Sequence, residues 1–238
     1  MIALCPRFLI VLAVMGLIFI GLVFIVIAQW STKHDPIPVL IYHGIAATTT
    51  LSDAYDVEAS LLSRELDYLN QHSYTPLTFA DARSLAEKNR LPKHPVIISF
   101  DDTLRSQVTS ALPLLQKHNM PATFFINSDW VGNSEYMNWD DVRALAAAGM
   151  EIGGHSETHA HLAVLDDAAL VREVSGDKVN IEREIGKPVI VFAYPYQEYD
   201  ARTDAAVQHT GYTIVRDDAS RFKSAVMTNS FDAFLQAI

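Results

Sequence analysis

The chain is poor in cysteine and has no cluster of basic residues. Cys5 is the only cysteine among 238 residues, so no disulfide can form within the chain, and cysteine usage does not distinguish an oxidising from a reducing compartment. The net charge is −10, with 28 acidic residues against 18 lysines and arginines. This balance argues against a nucleic-acid-binding surface. The sequence also lacks internal repeats and low-complexity tracts.

One long uncharged run stands near the N-terminus. Phe8 to Ala28 contains no charged residue, and at about 1.5 Å per residue such a run spans a hydrocarbon core of roughly 30 Å. Residues 1–30 are therefore predicted to be a membrane anchor or a signal segment. Val26-Ile27-Ala28 would fit a cleavage site, but the run exceeds the roughly 7–15 residues of a signal-peptide core, which favours an uncleaved anchor.

Residues 31–38 form the predicted linker, because Pro36 and Pro38 resist helix formation and the composition changes there. From residue 39 to residue 238, short β-branched or aromatic runs alternate with segments of helical period, which predicts an α/β domain with a parallel sheet. The predicted strands are Val39–Tyr42, Val96–Phe100, Thr123–Ile126, Glu151–Gly153, Val189–Ala193 and Tyr212–Val215. The predicted helices are Val57–Gln71, Phe79–Asn89, Leu114–Lys117, Trp139–Ala148, Ala168–Glu184 and Ala201–Gln208.

Polar side chains follow several of these strands directly. The carboxyl ends of parallel strands meet at one edge of a sheet or barrel, where active sites lie, so these side chains are expected to converge. They are Asp101 and Asp102, Asn127, His155 and His159, and Tyr194 and Tyr196.

Two histidines and one aspartate at neighbouring strand ends form a common ligand set for a catalytic zinc. His155 and His159 are four residues apart, which places both rings within reach of one ion. One of the adjacent aspartates would bind the ion, and the other would be free to accept a proton from a coordinated water molecule. The alternatives are that the histidines are ordinary surface residues, and that the aspartates only cap a helix or contact solvent.

Three short runs carry a family resemblance. They are Ser99–Thr103 (SFDDT), His155–His159 (HSETH) and Phe192–Gln197 (FAYPYQ), supported by Val39–Gly44, Pro121–Phe125 and Gly149–Gly153. In this order they resemble the polysaccharide deacetylases of the NodB-homology type, carbohydrate esterase family 4, in the branch whose third motif reads F-A-Y-P-Y-G. The resemblance covers roughly Pro38 to the C-terminus.

The resemblance implies a distorted (β/α) barrel, here preceded by one transmembrane helix. It implies a divalent metal ion, most simply Zn²⁺, bound by Asp102, His155 and His159, with Asp101 as the general base. It also implies a backbone N–H near Tyr196 that stabilises the oxyanion. The family removes acetyl groups from N-acetylglucosamine units of a glycan, or less often from acetylated xylan.

Four further residues are predicted to bind substrate. Tyr194, Pro195 and Trp139, together with Tyr196, would form a flat apolar surface for a sugar ring, although aromatic residues of α/β domains more often belong to the core. His43 ends the first strand and would face the same site, in a supporting or a structural role.

The sequence departs from the family pattern at four points. Thr103 and Gln197 replace glycines, Ala193 replaces an arginine that holds the base in many members, and no histidine follows His209 to serve as the general acid. A glycine position with positive φ would strain Thr103 by roughly 1–2 kcal/mol.

These observations predict a metal-dependent enzyme that removes N-acetyl groups from an acetylated cell-envelope or extracellular polysaccharide. It would be anchored in the membrane with its catalytic domain periplasmic or extracellular, and it would bind no nucleic acid. Two alternatives stay open, namely a catalytically weak or silent glycan-binding module and a metal-dependent esterase acting on O-acetylated sugars.

Overall fold

A computed structural model describes residues 35–48, 51 and 53–238. The predicted membrane segment at Phe8–Ala28 lies outside these residues. Among the residues described, no helix has the length and the apolar character needed to cross a membrane. Ile37–Ile238 forms one compact unit, and its first strand begins two residues before the predicted domain start at Val39.

The described residues contain ten strands and seven α-helices. The strands are β1 (Ile37–Tyr42), β2 (Ile45–Ala46), β3 (Val57–Glu58), β4 (Thr75–Leu77), β5 (Pro95–Phe100), β6 (Thr123–Ile126), β7 (Glu151–Gly154), β8 (Val191–Phe192), β9 (Ile214–Val215) and β10 (Phe222–Val226). The helices are α1 (Ala59–Gln71), α2 (Phe79–Glu87), α3 (Leu112–His118), α4 (Trp139–Ala147), α5 (Asp167–Ile185), α6 (Ala201–His209) and α7 (Phe231–Ala237).

Eight strands form one parallel sheet in the order β10-β1-β5-β6-β7-β8-β9, with β4 also paired to β5. Strands β2 and β3 pair separately. Within the described chain, β9 and β10 are the two ends of the sheet and do not pair with each other, so the sheet is a curled half-barrel rather than a closed barrel. Because every pair in the large sheet is parallel, the carboxyl ends of its strands lie along one rim.

The hydrophobic core lies on both faces of this sheet. Successive side chains of a strand point to opposite faces. In β1, Leu40 and Tyr42 belong to one buried cluster, which includes the leucines of α1. Val39 and Ile41 belong to the other, which α2 joins through Phe79. At about 1.5–3 kcal/mol for each large apolar side chain buried, these two layers hold the strand ends in fixed positions.

Local sequence signals fix several helix boundaries. Asn138 caps α4: its side chain accepts from Asp141 N–H, and the Asp141 carboxylate accepts from Asn138 N–H. Thr78 caps α2 in the same position, accepting from Asp81 N–H. Helix α1 begins two residues later than predicted, because Val57 and Glu58 pair with β2 instead.

Candidate metal and active site

Three predicted metal ligands meet at the rim of the sheet. Asp102 Oδ1 lies 3.6 Å from His155 Nε2 and 3.3 Å from His159 Nε2. The three donor atoms all lie within 4.8 Å of one another, so one cation can contact all of them. Asp102 Oδ1 is buried and has no hydrogen-bond partner among the described residues. A carboxylate oxygen left in this way beside two imidazole nitrogens fits a divalent cation.

The protonation states also suit metal binding. Burial lowers the pKa of His155 to about 3, and burial likewise lowers the pKa of His159. Both rings are therefore neutral at pH 7, as ligands must be. Burial and then the charge of Asp101 raise the pKa of Asp102. A bound cation would offset that repulsion.

His155 is held in one orientation. Its Nδ1 lies 2.7 Å from the carbonyl oxygen of Ala193, which can only accept a hydrogen bond. Nδ1 therefore carries the hydrogen, and the Nε2 lone pair faces Asp102. Ala193 follows β8 and His155 follows β7, so the pairing of these two strands sets the direction of the ligand.

Asp101 is the buried acid beside the ligands, and its partner is Arg216. The guanidinium Nη1 donates to Asp101 Oδ2, and both side chains are almost completely buried. Burial alone would raise the pKa of Asp101, but the positive charge of Arg216 and its hydrogen bond bring that pKa below its ordinary value. Asp101 Oδ1 has no hydrogen-bond partner in the described part of the chain, so it can accept a proton.

Arg216 is a residue that the sequence prediction missed. Ala193 stands where an arginine was expected to hold the base, and Arg216 holds Asp101 from the next strand instead. Arg216 comes directly after β9, so the reasoning that predicted the ligands, namely that polar residues after parallel strands converge, also applies to it. Its Nε also lies 3.3 Å from Asp217 Oδ1, and the other Asp217 oxygen accepts Tyr194 N–H at 3.0 Å.

His43 faces the site from the end of β1. Its Nε2 lies 3.9 Å from Asp102 Oδ2, and its side chain is one-fifth exposed. Nδ1 is buried without a hydrogen-bond partner among the described residues. Tyr55 packs against the His43 ring at 5.4 Å between centroids. His43 therefore contacts the cavity and is not only a core residue.

The ligands line a cavity of about 340 Å³. Its walls are Ile41, His43, Tyr55, Asp101, Asp102, His155, His159, Tyr194, Tyr196, Gln197, Arg216 and Val226. A larger cavity of about 690 Å³ lies along β9 and the start of β10 and contains none of the three ligands. Chemistry rather than size therefore identifies the smaller cavity as the site.

The residues predicted to contact sugar occupy different places. Tyr196 is half-exposed and its ring lies 4.5 Å from that of His159 and 3.8 Å, stacked, from that of His161. Tyr194 borders the cavity but is buried, and its hydroxyl donates to Asp204. Pro195 is buried and Trp139 packs against the core; neither is among the cavity-lining residues. This placement gives no support to a sugar contact by Pro195 or Trp139.

Residues with left-handed backbone conformation are concentrated at the candidate site. Nine non-glycine residues of the described chain have positive φ, and six of these belong to the site segments: Asp102, Thr103, Ser156, His159, Tyr196 and Gln197. A residue in this region generally costs about 1–2 kcal/mol, so backbone strain is concentrated at the candidate site. Thr103 has a φ of 58°, so the condition under which the sequence predicts strain at this residue is met.

The threonine at this turn has a compensating contact. Thr103 Oγ1 accepts the N–H of Asn127 at 2.7 Å, and the hydroxyl is fully buried. A glycine would remove the strain but leave that N–H without its acceptor. The hydrogen bond to Asn127 therefore offsets part of the strain at Thr103.

Comparison with known proteins gives the same class of protein as the geometry. The family model described as polysaccharide deacetylase matches residues 88–215, which is more than half of the chain and includes the three predicted ligands and Asp101. The chain belongs to the polysaccharide deacetylase family. This match confirms the family resemblance found in the sequence.

Particular relatives are more distant. A poly-beta-1,6-N-acetyl-D-glucosamine N-deacetylase of Staphylococcus aureus is 25% identical over 198 residues, covering 77% of this chain and 67% of the relative. The chain spans about two thirds of the length of the curated relatives it matches.

Solved structures share the fold. IcaB from Ammonifex degensii superposes with a TM-score of 0.74 at 23% identity, over 86% of this chain and 96% of that one. A de-N-acetylase from Aggregatibacter actinomycetemcomitans gives a TM-score of 0.74 at 20% identity, over 86% of this chain and 100% of that one. The α/β fold with a parallel sheet, predicted from the sequence, is thus shared with known deacetylase structures, and here the sheet is a curled half-barrel.

Proposed function

We propose that this protein is a metal-dependent hydrolase that removes N-acetyl groups from N-acetylglucosamine units of a cell-envelope or extracellular polysaccharide. The observation that carries the proposal is the position of Asp101 beside the donor set of Asp102, His155 and His159. Its contact with Arg216 keeps Asp101 ionised. The name of the S. aureus relative, a poly-beta-1,6-N-acetyl-D-glucosamine N-deacetylase, supports this sugar as the substrate unit.

Asp102, His155 and His159 would hold the cation, for which we propose zinc because two imidazoles and one carboxylate leave a coordination position open. When bound, such an ion supplies Lewis acidity and lowers the pKa of water. Asp101 Oδ1 takes the proton of the water molecule that attacks the acetyl carbonyl carbon. Arg216 keeps Asp101 in the charged, proton-accepting form.

The second proton transfer needs a donor to the leaving amine. The C–N bond breaks after attack, acetate leaves, and the sugar nitrogen takes a proton. We assign this donor role to His43, which reaches the cavity from β1 and is the imidazole there that does not belong to the ligand set.

Tyr196 is the proposed sugar contact, because its half-exposed ring stands over His159 at the mouth of the cavity. Exposed aromatic faces bind the apolar faces of sugars. We retain its backbone N–H as the proposed oxyanion donor; removing one such donor typically costs about 10²–10³ in rate.

Acetate release tests the proposal. The full-length protein should release acetate from N-acetylglucosamine oligomers, including β-1,6-linked ones, lose this activity with a chelator and regain it with zinc. Asp101→Asn, which preserves shape and removes the base, should lower the rate by about 10²–10⁴-fold. An absence of acetate from every N-acetylated polymer, with release from O-acetylated sugars, would replace the proposal by the esterase alternative.

We also propose that residues 1–30 anchor the protein and that the catalytic domain is periplasmic or extracellular. This proposal rests on the sequence of Phe8–Ala28 alone. The protein should stay in the membrane pellet after alkaline carbonate extraction. Its catalytic domain should also be digested by protease added to spheroplasts or protoplasts with an intact cytoplasmic membrane. Release into the carbonate supernatant would contradict it.

A further inference from the structure

A carboxyl group is buried in the middle of helix α5. Asp177 lies at the centre of Asp167–Ile185 and has no exposed surface. Burying a carboxyl group is costly unless its oxygens are satisfied by hydrogen bonds, and aspartate is not a favoured residue of helix interiors. The two oxygens of Asp177 therefore need partners that repay this cost.

Both partners are backbone N–H groups at the ends of strands that carry the site. Asp177 Oδ1 accepts Ser128 N–H at 2.9 Å, just beyond β6. Asp177 Oδ2 accepts His155 N–H at 3.0 Å, directly after β7, and shares this N–H with the carbonyl oxygen of Ile126 at 2.9 Å. A single carboxyl group thus joins the ends of two strands, and one of these ends carries His155, a proposed metal ligand.

The backbone that follows His155 is held as well, through its carbonyl oxygens. Asn127 Nδ2 donates to the carbonyl oxygens of His155 at 2.6 Å and Ser156 at 3.1 Å. With the contact of Nδ1 to Ala193, every polar group of His155 except Nε2 is fixed by the protein. Nε2 is the atom that faces Asp102.

The close approach of α5 to this strand end requires Gly154. A Cβ atom on Gly154 would lie 2.9 Å from Asp177 Oδ2 and 2.1 Å from Tyr212 Oη. Such distances exclude any side chain there, so β7 ends in a glycine immediately before the ligand. The absence of a side chain at Gly154 lets the Asp177 carboxyl group reach the backbone N–H of His155.

We propose that Asp177 and Asn127 are positioning residues that hold the backbone on both sides of His155, at its N–H and at its carbonyl oxygen, and so set the zinc affinity of the site. Neither residue touches the proposed ion; both act through the backbone of one ligand. The inference rests on the metal site of the proposed function, but it concerns residues for which neither the motifs nor the comparisons give a role.

The test measures zinc affinity of the full-length protein in detergent, by competition with a chromophoric chelator and without any substrate. Asp177→Ala removes both acceptors and should weaken zinc binding about 100-fold. Asp177→Asn keeps one acceptor oxygen and should weaken it about 10-fold. These are the sizes found when partners of metal ligands are removed.

Val174→Ala is the matched control, because Val174 is buried on the same helix three residues earlier and bonds to neither strand end. It should destabilise α5 and leave zinc affinity within about twofold of wild type. Equal losses in Val174→Ala and Asp177→Ala would show that only general destabilisation is at work and would overturn the proposal. So would wild-type affinity in both Asp177 variants.

Asn127→Ala provides a second route if the Asp177 variants do not fold. It removes the hydrogen bonds to the carbonyl oxygens and should weaken zinc binding about 10-fold; unchanged affinity would overturn the proposal. Wild-type protein that binds no zinc would overturn the metal site itself. If the zinc affinities are as predicted but the wild-type protein releases no acetate, that result would count against the proposed reaction and not against the positioning roles of Asp177 and Asn127.

Discussion

Arg216 shows how a single residue decides the chemistry of its neighbour. A carboxylate as deeply buried as Asp101 would retain its proton without a cation, and then it would be useless as a base. The guanidinium contact keeps the pKa of Asp101 below its ordinary value. Arginine suits this position because it stays charged when buried.

We predict that Arg216→Met lowers kcat/KM for acetate release by at least about 100-fold, a loss in the range for removal of a general base. It should also reduce the free energy of unfolding by about 3–5 kcal/mol, because Asp101 is left buried and unpaired. Both quantities are measured by enzyme kinetics and urea titration. In an Asp101→Asn background the same substitution should cost much less in rate, and a full additional loss there would contradict the coupling of the two residues.

Thr103 makes a prediction about strain and compensation. Thr103→Val keeps the branched shape and the strained backbone but removes the oxygen that accepts Asn127 N–H. An unsatisfied buried N–H costs about 1–3 kcal/mol, so the variant should unfold that much more easily in urea. Thr103→Ser keeps the oxygen and serves as the control, with a stability close to wild type. Equal stabilities for the valine and serine variants would show that this hydrogen bond is unimportant.

The residue scale also shows the limits of sequence reasoning. The clustering of Asp102, His155 and His159 could be predicted, because these side-chain types are common metal ligands and each follows a predicted strand. Arg216 follows a predicted strand too, but an isolated arginine specifies no chemistry until its partner is known. Asp177 could not be found, because its role depends on a contact between a helix interior and a backbone N–H that no spacing predicts.

At the scale of elements, α1 and β1 meet through a buried pair of polar side chains. Tyr42 of β1 donates a hydrogen bond to Glu65 Oε2 of α1 at 2.9 Å. Burial raises the pKa of Glu65 to about 8, although the Tyr42 hydrogen bond opposes this. In the folded protein Glu65 is therefore largely protonated at neutral pH.

The raised pKa predicts a pH dependence of stability. Between the unfolded value near 4.5 and the folded value of about 8, the folded state binds the extra proton, so this contribution is complete at low pH and is lost as the pH rises. Glu65→Gln imitates the protonated acid and does not titrate. From pH 5 to pH 8, wild type should lose roughly 2–4 kcal/mol of unfolding free energy relative to Glu65→Gln, at no more than about 1.4 kcal/mol per pH unit.

Urea unfolding of both proteins across this range measures the difference. Groups that titrate equally in the two proteins cancel, so the comparison isolates Glu65. A difference that stays constant from pH 5 to pH 8 would contradict the buried, protonated state of Glu65.

The elements themselves were largely predictable. The six predicted strands are present, with Thr123–Ile126 matching β6 at both ends, because buried parallel strands read as dense β-branched and aromatic runs. Strand β4 was missed, since Pro76 reads as a turn residue. Strand β10 was also missed, because most of Phe222–Val226 is only half-buried at the sheet end and lacks a hydrophobic run.

At the scale of the whole molecule, the sheet assembles a site from residues far apart in the sequence. Asp101 and Asp102 follow β5, His155 follows β7, Arg216 follows β9 and His43 follows β1. These strands are neighbours or near neighbours in one parallel sheet, and its curvature brings their ends round one cavity. The convergence at one rim was predictable from parallel topology; the opening between β9 and β10 was not, because no local pattern encodes where a sheet stops pairing.

The central claim is that Asp102, His155 and His159 bind one divalent cation beside an uncoordinated Asp101. Its most direct test is the metal content of the purified protein after loading with zinc and removal of excess, determined by atomic spectrometry for four proteins. Wild type and Asp101→Asn should each retain about one equivalent, whereas Asp102→Ala and His155→Ala should retain almost none. Retention of one equivalent by both ligand variants would contradict the account.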